Sequence, residues 1–258
     1  MATEQQELEP LSRISLMLKF TTLLMAFLAS TGPSATVSSE LTEVFQHLEK
    51  GQKQTIVLYG TSLTIDGEWA KAMNSWFHET YPDQVIFVNS GQGGANSDFG
   101  FKNVEKRVLE HRPNLVVLEF SYNDAIDNLL TAEQAWNNLD KMVSCMREQN
   151  PKVAIVLQIM NVGWDPNPNQ LPFSRRIDLE KFNENYRRYA QEQKLPLIDH
   201  YPNWLRLKEQ ENKTYRAYLP DGSHPTPEAS LTVTWPSVKA LLETARSSVH
   251  SKHVSNPK

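Results

Sequence analysis

The chain has 258 residues, 40% of them hydrophobic and 22% charged, enough apolar material for one domain with a full core and tails. Its formal net charge is −4 and no basic stripe runs along it, which argues against a nucleic-acid partner. Cys145 is the only cysteine, so no intrachain disulfide can form and a thiolate zinc site is excluded.

Residues 1–37 read as a leader. Phe20 to Ala29 is an apolar run softened by Thr21 and Thr22, too short for a stable membrane span. Lys19 precedes it, and the small residues Ala29, Ser30, Gly32, Ser34 and Ala35 follow. Read from Met17, this is the pattern of a secretory signal, which implies a secreted or periplasmic protein. Glu4, Glu7 and Glu9 put acid where such a signal is basic, so the expectation rests on a start at Met17 or an unusual leader. The alternative is an amphipathic helix packed on a cytoplasmic domain.

Leu41, Val44, Phe45 and Leu48 have helical spacing and predict a short first helix. Thr55 to Tyr59 predicts a strand buried on both faces, and Gly60 breaks it into a tight turn carrying Ser62. Trp69, Ala72, Met73, Trp76 and Phe77 predict a helix over about Glu68 to Thr80. Val85 to Val88 reads as a second strand and Asn89 to Gly94 as a glycine-rich turn. Phe101, Val104, Val108 and Leu109 mark a helix, and Leu115 to Leu118 a third strand. A helix over Ala132 to Met146 and a strand over Val153 to Leu157 follow. Asn161 to Pro172 is expected to be loop, Ile177 to Tyr189 helix, and Leu195 to Ile198 a fifth strand. Trp204 to Leu207 reads as a helical turn, Asn212 to Pro225 as loop, and Pro227 to Ala245 as a closing helix that Pro236 kinks or breaks. Residues 248–258 read as a polar, frayed tail. Strands alternating with helices predict an α/β fold with a parallel sheet and helices on both faces.

In such a sheet the strand ends converge on one edge. The turn after strand one carries Ser62, and that after strand two carries Gly91, Gly93, Gly94 and Asn96. The turn after strand three is Ser121-Tyr122-Asn123-Asp124, and Asp221-Gly222-Ser223-His224-Pro225 follows strand five. A serine hydroxyl needs a base, which a histidine supplies near neutral pH. The histidine needs an acceptor to hold its tautomer, and Asp221 lies three residues from His224. A glycine N–H and the Asn123 amide are suitable donors for an oxyanion.

These four stretches, in this order, resemble the four sequence blocks of the SGNH (GDSL-like) hydrolase family over roughly Thr55 to Ala240, within a domain of residues 38–247. The resemblance implies a flavodoxin-like three-layer α/β/α sandwich with about five parallel strands. It implies Ser62 as nucleophile, Asp221 and His224 as the rest of a triad, and Gly94 and Asn123 as the oxyanion hole. Gly94 is selected over Gly91 and Gly93 because the family glycine usually falls five residues after the strand-end asparagine, here Asn89. Two positions depart from the family pattern. Thr61 stands for the usual aspartate of Gly-Asp-Ser-Leu, and Ser121 for the usual glycine of Gly-x-Asn-Asp, where it is expected to narrow the pocket.

No cofactor or metal is expected. Gly91-x-Gly93-x-x-Asn96 lacks a glycine of the dinucleotide fingerprint and follows the wrong strand. His47, His78, His111 and His200 read as surface or helix-end residues, Cys145 as a small core residue, and Trp69, Trp76, Trp136 and Trp235 as core. Trp164, in the proline-rich loop after strand four, reads either as a substrate-binding platform for a sugar or acyl group or as loop packing. The expected activity is a serine esterase removing a small acyl group, acetyl first, from a small-molecule or glycan ester. A lipase, a thioesterase and a non-catalytic binding module on the same fold are the alternatives.

Overall fold

A computed structural model describes residues 37–126, 129–166, 176 and 178–254. The apolar run Phe20–Ala29, Pro168 and Pro172 of the long loop, Ile177 and the last four residues lie outside the described residues. Among the described residues no helix is long and apolar enough to cross a membrane.

Five strands, β1 (Gln54–Gly60), β2 (Val85–Asn89), β3 (Leu115–Glu119), β4 (Ala154–Ile159) and β5 (Leu197–Asp199), form one sheet in the order β2-β1-β3-β4-β5. Every pairing is parallel. The strand period of two sends alternate side chains to opposite faces. Ile56 and Leu58 of β1 pack with α1 (Ser39–Glu49), α3 (Glu68–Thr80) and α11 (Trp235–Val254). Val57 and Tyr59 pack with α4 (Ser97–Arg107), α6 (Ala132–Gln149) and α7 (Leu179–Gln193). This is the three-layer α/β/α arrangement predicted. The central strands β3 and β4 are buried throughout, which is why they read as continuous apolar runs. Edge strand β2 leaves Ile86 exposed.

Elements differ from expectation near the C-terminus. The fifth strand begins at Leu197, because Lys194 is left-handed (φ 55°) and the Leu195 N–H still bonds to Ala190 of α7. The helical turn at Trp204 is a full helix, α8 (Tyr201–Gln210), with Pro202 in its first turn. The loop expected from Asn212 begins as a helix, α9 (Asn212–Tyr218), anchored by the buried Tyr215, whose hydroxyl donates to the Val162 carbonyl at 2.8 Å. Pro236 falls in the first turn of α11, directly after a π-helical turn at Ser230–Thr234. The wider turn accommodates the missing donor and the ring. The expected polar tail is instead helical as far as Val254, with Val249 in the core.

Trp69 is buried, and Trp76, Trp136 and Trp235 are partly buried against the core clusters, as is Cys145. His200 does stand at a helix end, before α8, but it is fully buried rather than on the surface. Burial pushes its imidazole down to about 3, so it is neutral, and its Nε2 lies 2.9 Å from Gln158 Nε2.

Candidate active site

Ser62 opens the short helix α2 (Ser62–Ile65), immediately after β1. Gly60 makes the turn possible: a Cβ there would lie 2.6 Å from the Glu119 carbonyl and 2.3 Å from Thr64 Oγ1. Thr61 then holds the turn. Its N–H and hydroxyl both donate to Glu119 Oε2, at 3.1 and 2.8 Å, and its Oγ1 accepts from the Leu63 N–H at 3.1 Å. Thr61 therefore replaces the usual aspartate with a side chain that caps α2 and donates to the carboxylate behind it. Burial pushes the Glu119 carboxyl up to about 7 against these donors.

The turn after β2 is tied to the same place. The Gln92 N–H donates to the Gly60 carbonyl at 2.9 Å, and Asn89 Nδ2 donates to the Thr64 carbonyl at 3.0 Å. Gly94 takes a left-handed conformation (φ +72°) with open space where a Cβ would be. Among the described residues its N–H has no acceptor. Asn123 lies in the one-turn helix α5 (Ser121–Asp124) after β3, and its Nδ2 donates to the Ala95 carbonyl at 2.8 Å. Asp124 accepts from the Ser97 N–H at 2.6 Å, and burial pushes its carboxyl up to about 7. Glycine turn and asparagine are thus locked side by side.

Asp221 and His224 come from the loop between α9 and α10 (Pro227–Ala229). Asp221 Oδ1 accepts from the Ser223 and His224 N–H groups at 2.9 and 2.8 Å. Its Oδ2 is 2.6 Å from His224 Nδ1, and His224 Nε2 is 2.8 Å from Ser62 Oγ. Partial burial raises the Asp221 carboxyl, but the two backbone N–H groups and the imidazole outweigh it and hold it below the usual carboxylate range. Ser62, His224 and Asp221 thus form one continuous hydrogen-bonded chain.

The segment after β4 fastens this loop from outside. The Trp164 N–H donates to the Gly222 carbonyl at 2.9 Å, and Asn161 Nδ2 donates to the Ser223 carbonyl at 2.9 Å. Gly222 is left-handed (φ +81°), and a Cβ there would lie 2.0 Å from the Trp164 carbonyl. The Trp164 indole N–H donates to the Leu219 carbonyl at 2.8 Å, with Arg216 over its ring at 4.8 Å. These contacts are those of the loop-packing alternative.

Two residues stand apart from the sequence reading. Ser121 does not narrow a pocket: its hydroxyl is buried and bonds to Asn183 Oδ1 of α7 at 3.0 Å. Arg176, which no periodicity or motif marks, reaches Asn123 Oδ1 at 3.0 Å and the Tyr122 carbonyl at 2.7 Å. Among the described residues no group of three or more His, Cys, Asp or Glu could hold a metal.

Residues 57–230 match the model of the GDSL-like Lipase/Acylhydrolase family. Over 177 residues the chain is 23% identical to an arylesterase of Vibrio mimicus, covering 66% of this chain and 76% of that one. A two-domain esterase active on acetylated mannans, crystallised with mannopentaose, is similar in fold (TM-score 0.64, 21% identity), with 82% of this chain and 54% of that one covered. A catalytic mutant of an acetylxylan esterase from Geobacillus stearothermophilus gives a TM-score of 0.60 at 16% identity, over 74% of this chain and 95% of that one. The chain belongs to the GDSL-like lipase/acylhydrolase family and is an ester-bond hydrolase.

Proposed function

We propose that this enzyme is a serine esterase that removes acetyl or a similarly small acyl group from a carbohydrate or other bulky alcohol. The hydrogen-bonded path Ser62–His224–Asp221 carries the reading. Ser62 Oγ attacks the ester carbonyl carbon as His224 Nε2 takes its proton. The oxyanion accepts from the Gly94 N–H and the second N–H of the Asn123 amide. The alcohol leaves with the proton from His224, and the acyl group stays on Ser62. Water then attacks with His224 again as base, which frees the carboxylic acid and Ser62. Asp221 holds the imidazole tautomer and balances the transient imidazolium.

The substrate class rests on exposure and on the company the fold keeps. The side chains of His224 and Asp221 are 48% and 55% exposed, so a bulky alcohol can sit over them without the site opening. Two fold neighbours are an esterase active on acetylated mannans and an acetylxylan esterase. Trp164 serves in this reading as a buttress of the His224 loop.

The test is a panel of p-nitrophenyl esters and acetylated oligosaccharides, with labelling by a fluorophosphonate. Acetyl is expected to turn over faster than longer chains, and Ser62→Ala to abolish both turnover and labelling with an unchanged circular dichroism spectrum. Turnover retained by Ser62→Ala removes Ser62 as nucleophile. A preference for long acyl chains or thioesters removes the substrate assignment.

A further inference from the structure

We infer that Arg176 is a positioning residue of this site: it sets which way the Asn123 amide faces, polarises that amide, and joins it to the loop carrying His224. The inference rests on the proposed role of Asn123.

The Arg176 guanidinium spends its donors on two separate turns. Nε donates to the Tyr122 carbonyl at 2.7 Å and Nη2 to Asn123 Oδ1 at 3.0 Å. Nη1 lies 3.4 Å from Ser223 Oγ, a longer contact. The guanidinium plane also covers the Tyr122 ring at 3.8 Å. Ser223 is the neighbour of His224, and its own N–H is held by Asp221.

An asparagine amide can be flipped, and only its partners decide the orientation. Here both ends are decided. A guanidinium has no acceptor, so it must meet Oδ1, and the Ala95 carbonyl must meet Nδ2. One Nδ2 hydrogen is then used on Ala95 and the other is left for an oxyanion. A cation on Oδ1 draws electron density from the amide and makes that remaining N–H a stronger donor. The benefit grows as negative charge develops on the substrate oxygen, so it acts on the transition state more than on bound ester.

The experiment is a double-mutant cycle of Arg176→Met with Asn123→Ala, with Arg176→Lys alongside, measured with p-nitrophenyl acetate. Arg176→Met is expected to lower kcat about tenfold or more with KM within about twofold. Arg176→Lys, which keeps charge but loses the fork, is expected to recover part of the loss. In the Asn123→Ala background, Arg176→Met is expected to cost less than about twofold further, because its target is gone. Additive losses, or a loss confined to KM, would overturn the inference. If Asn123→Ala itself leaves kcat unchanged, it is the oxyanion reading that fails, whatever Arg176 does. Should Arg176→Met fail to fold, Arg176→Lys in the same cycle decides: a kcat equal to wild type, or a loss independent of Asn123, sinks the proposal.

Discussion

The hydroxyl of Thr61 donates to Glu119 Oε2 at 2.8 Å, wholly out of contact with water, while the same oxygen accepts from the Leu63 N–H. One side chain thereby connects the end of β3 to the helix that Ser62 begins. An ionised aspartate at this position could cap the helix but could not donate to Glu119.

Thr61→Val keeps the shape and removes both bonds. Loss of the cap alone is worth about 1 kcal/mol, and the buried Leu63 N–H left behind adds to it. A drop in Tm of several degrees with a lower kcat is expected in thermal melts and steady-state assays. A variant as stable and active as wild type would mean that the turn does not depend on this residue.

Glu119 and Asp124 predict an unusual pH dependence of stability. Burial raises both carboxyls to about 7, from ordinary values of 4.5 and 3.8. Between those ordinary values and about 7 the native protein holds protons that the unfolded chain has released. Their contribution to stability is therefore greatest in acid and is lost as pH rises through that window, becoming flat above it. Glu119→Gln removes one share and leaves that of Asp124. Tm against pH should slope downward less steeply in the variant than in wild type, and identical slopes would show Glu119 ionised throughout.

Much of this was readable in advance, for reasons specific to each element. β1, β3 and β4 are covered on both faces, so burial writes their middles, Ile56 to Leu58, Leu115 to Leu118 and Ala154 to Leu157, as apolar runs. The turns after β1, β2 and β3 drew attention because strand ends in a parallel sheet share an edge, whereas the choice of Gly94 over its neighbouring glycines and the roles given to Ser62, Asn123, Asp221 and His224 came from the resemblance of four short blocks to a family. Helix α9 was missed because only Tyr215 of its seven residues is buried, too little to set a period. Ser121 was misread because sequence does not say whether a strand-end hydroxyl faces the pocket or Asn183. Arg176 left no trace, since its partners lie 54, 53 and 47 residues away and none shares a motif with it.

Asp221→Asn tests the acid of the path. The amide can accept the two backbone N–H groups through one oxygen, so the loop should keep its shape. Its other end presents N–H donors to His224 Nδ1 and enforces the wrong tautomer, so kcat should fall by roughly tenfold or more. Fluorophosphonate labelling of Ser62 should slow in parallel. Equal rates in both assays would mean that Asp221 is not the partner of His224.

Gly222→Ala probes the loop from the backbone side. Its φ of +81° disfavours a side chain, and the new Cβ would lie 2.0 Å from the Trp164 carbonyl. The strain should cost roughly 1–2 kcal/mol or more and displace the adjacent Asp221. Lower Tm together with lower kcat is expected. Wild-type values of both would mean that the two loops part without consequence.

The fastening of the His224 loop divides the machinery between regions of unequal endurance. Ser62 directly follows Thr61, whose N–H is bonded to the buried Glu119 at the end of the sheet. His224 lies on a loop whose Leu219, Gly222 and Ser223 are tied to a stretch some 55 to 62 residues upstream. These ties are part-buried and lie outside the sheet, and peripheral ties of this kind open before the central strands do. Mild urea or warming should therefore disarm the enzyme while the sheet stays intact, and amide exchange at Ser223 and His224 should outpace that at Leu58 and Val117. If His224 is the base, as proposed, displacing this one loop is expected to silence the enzyme reversibly while the sheet stays folded.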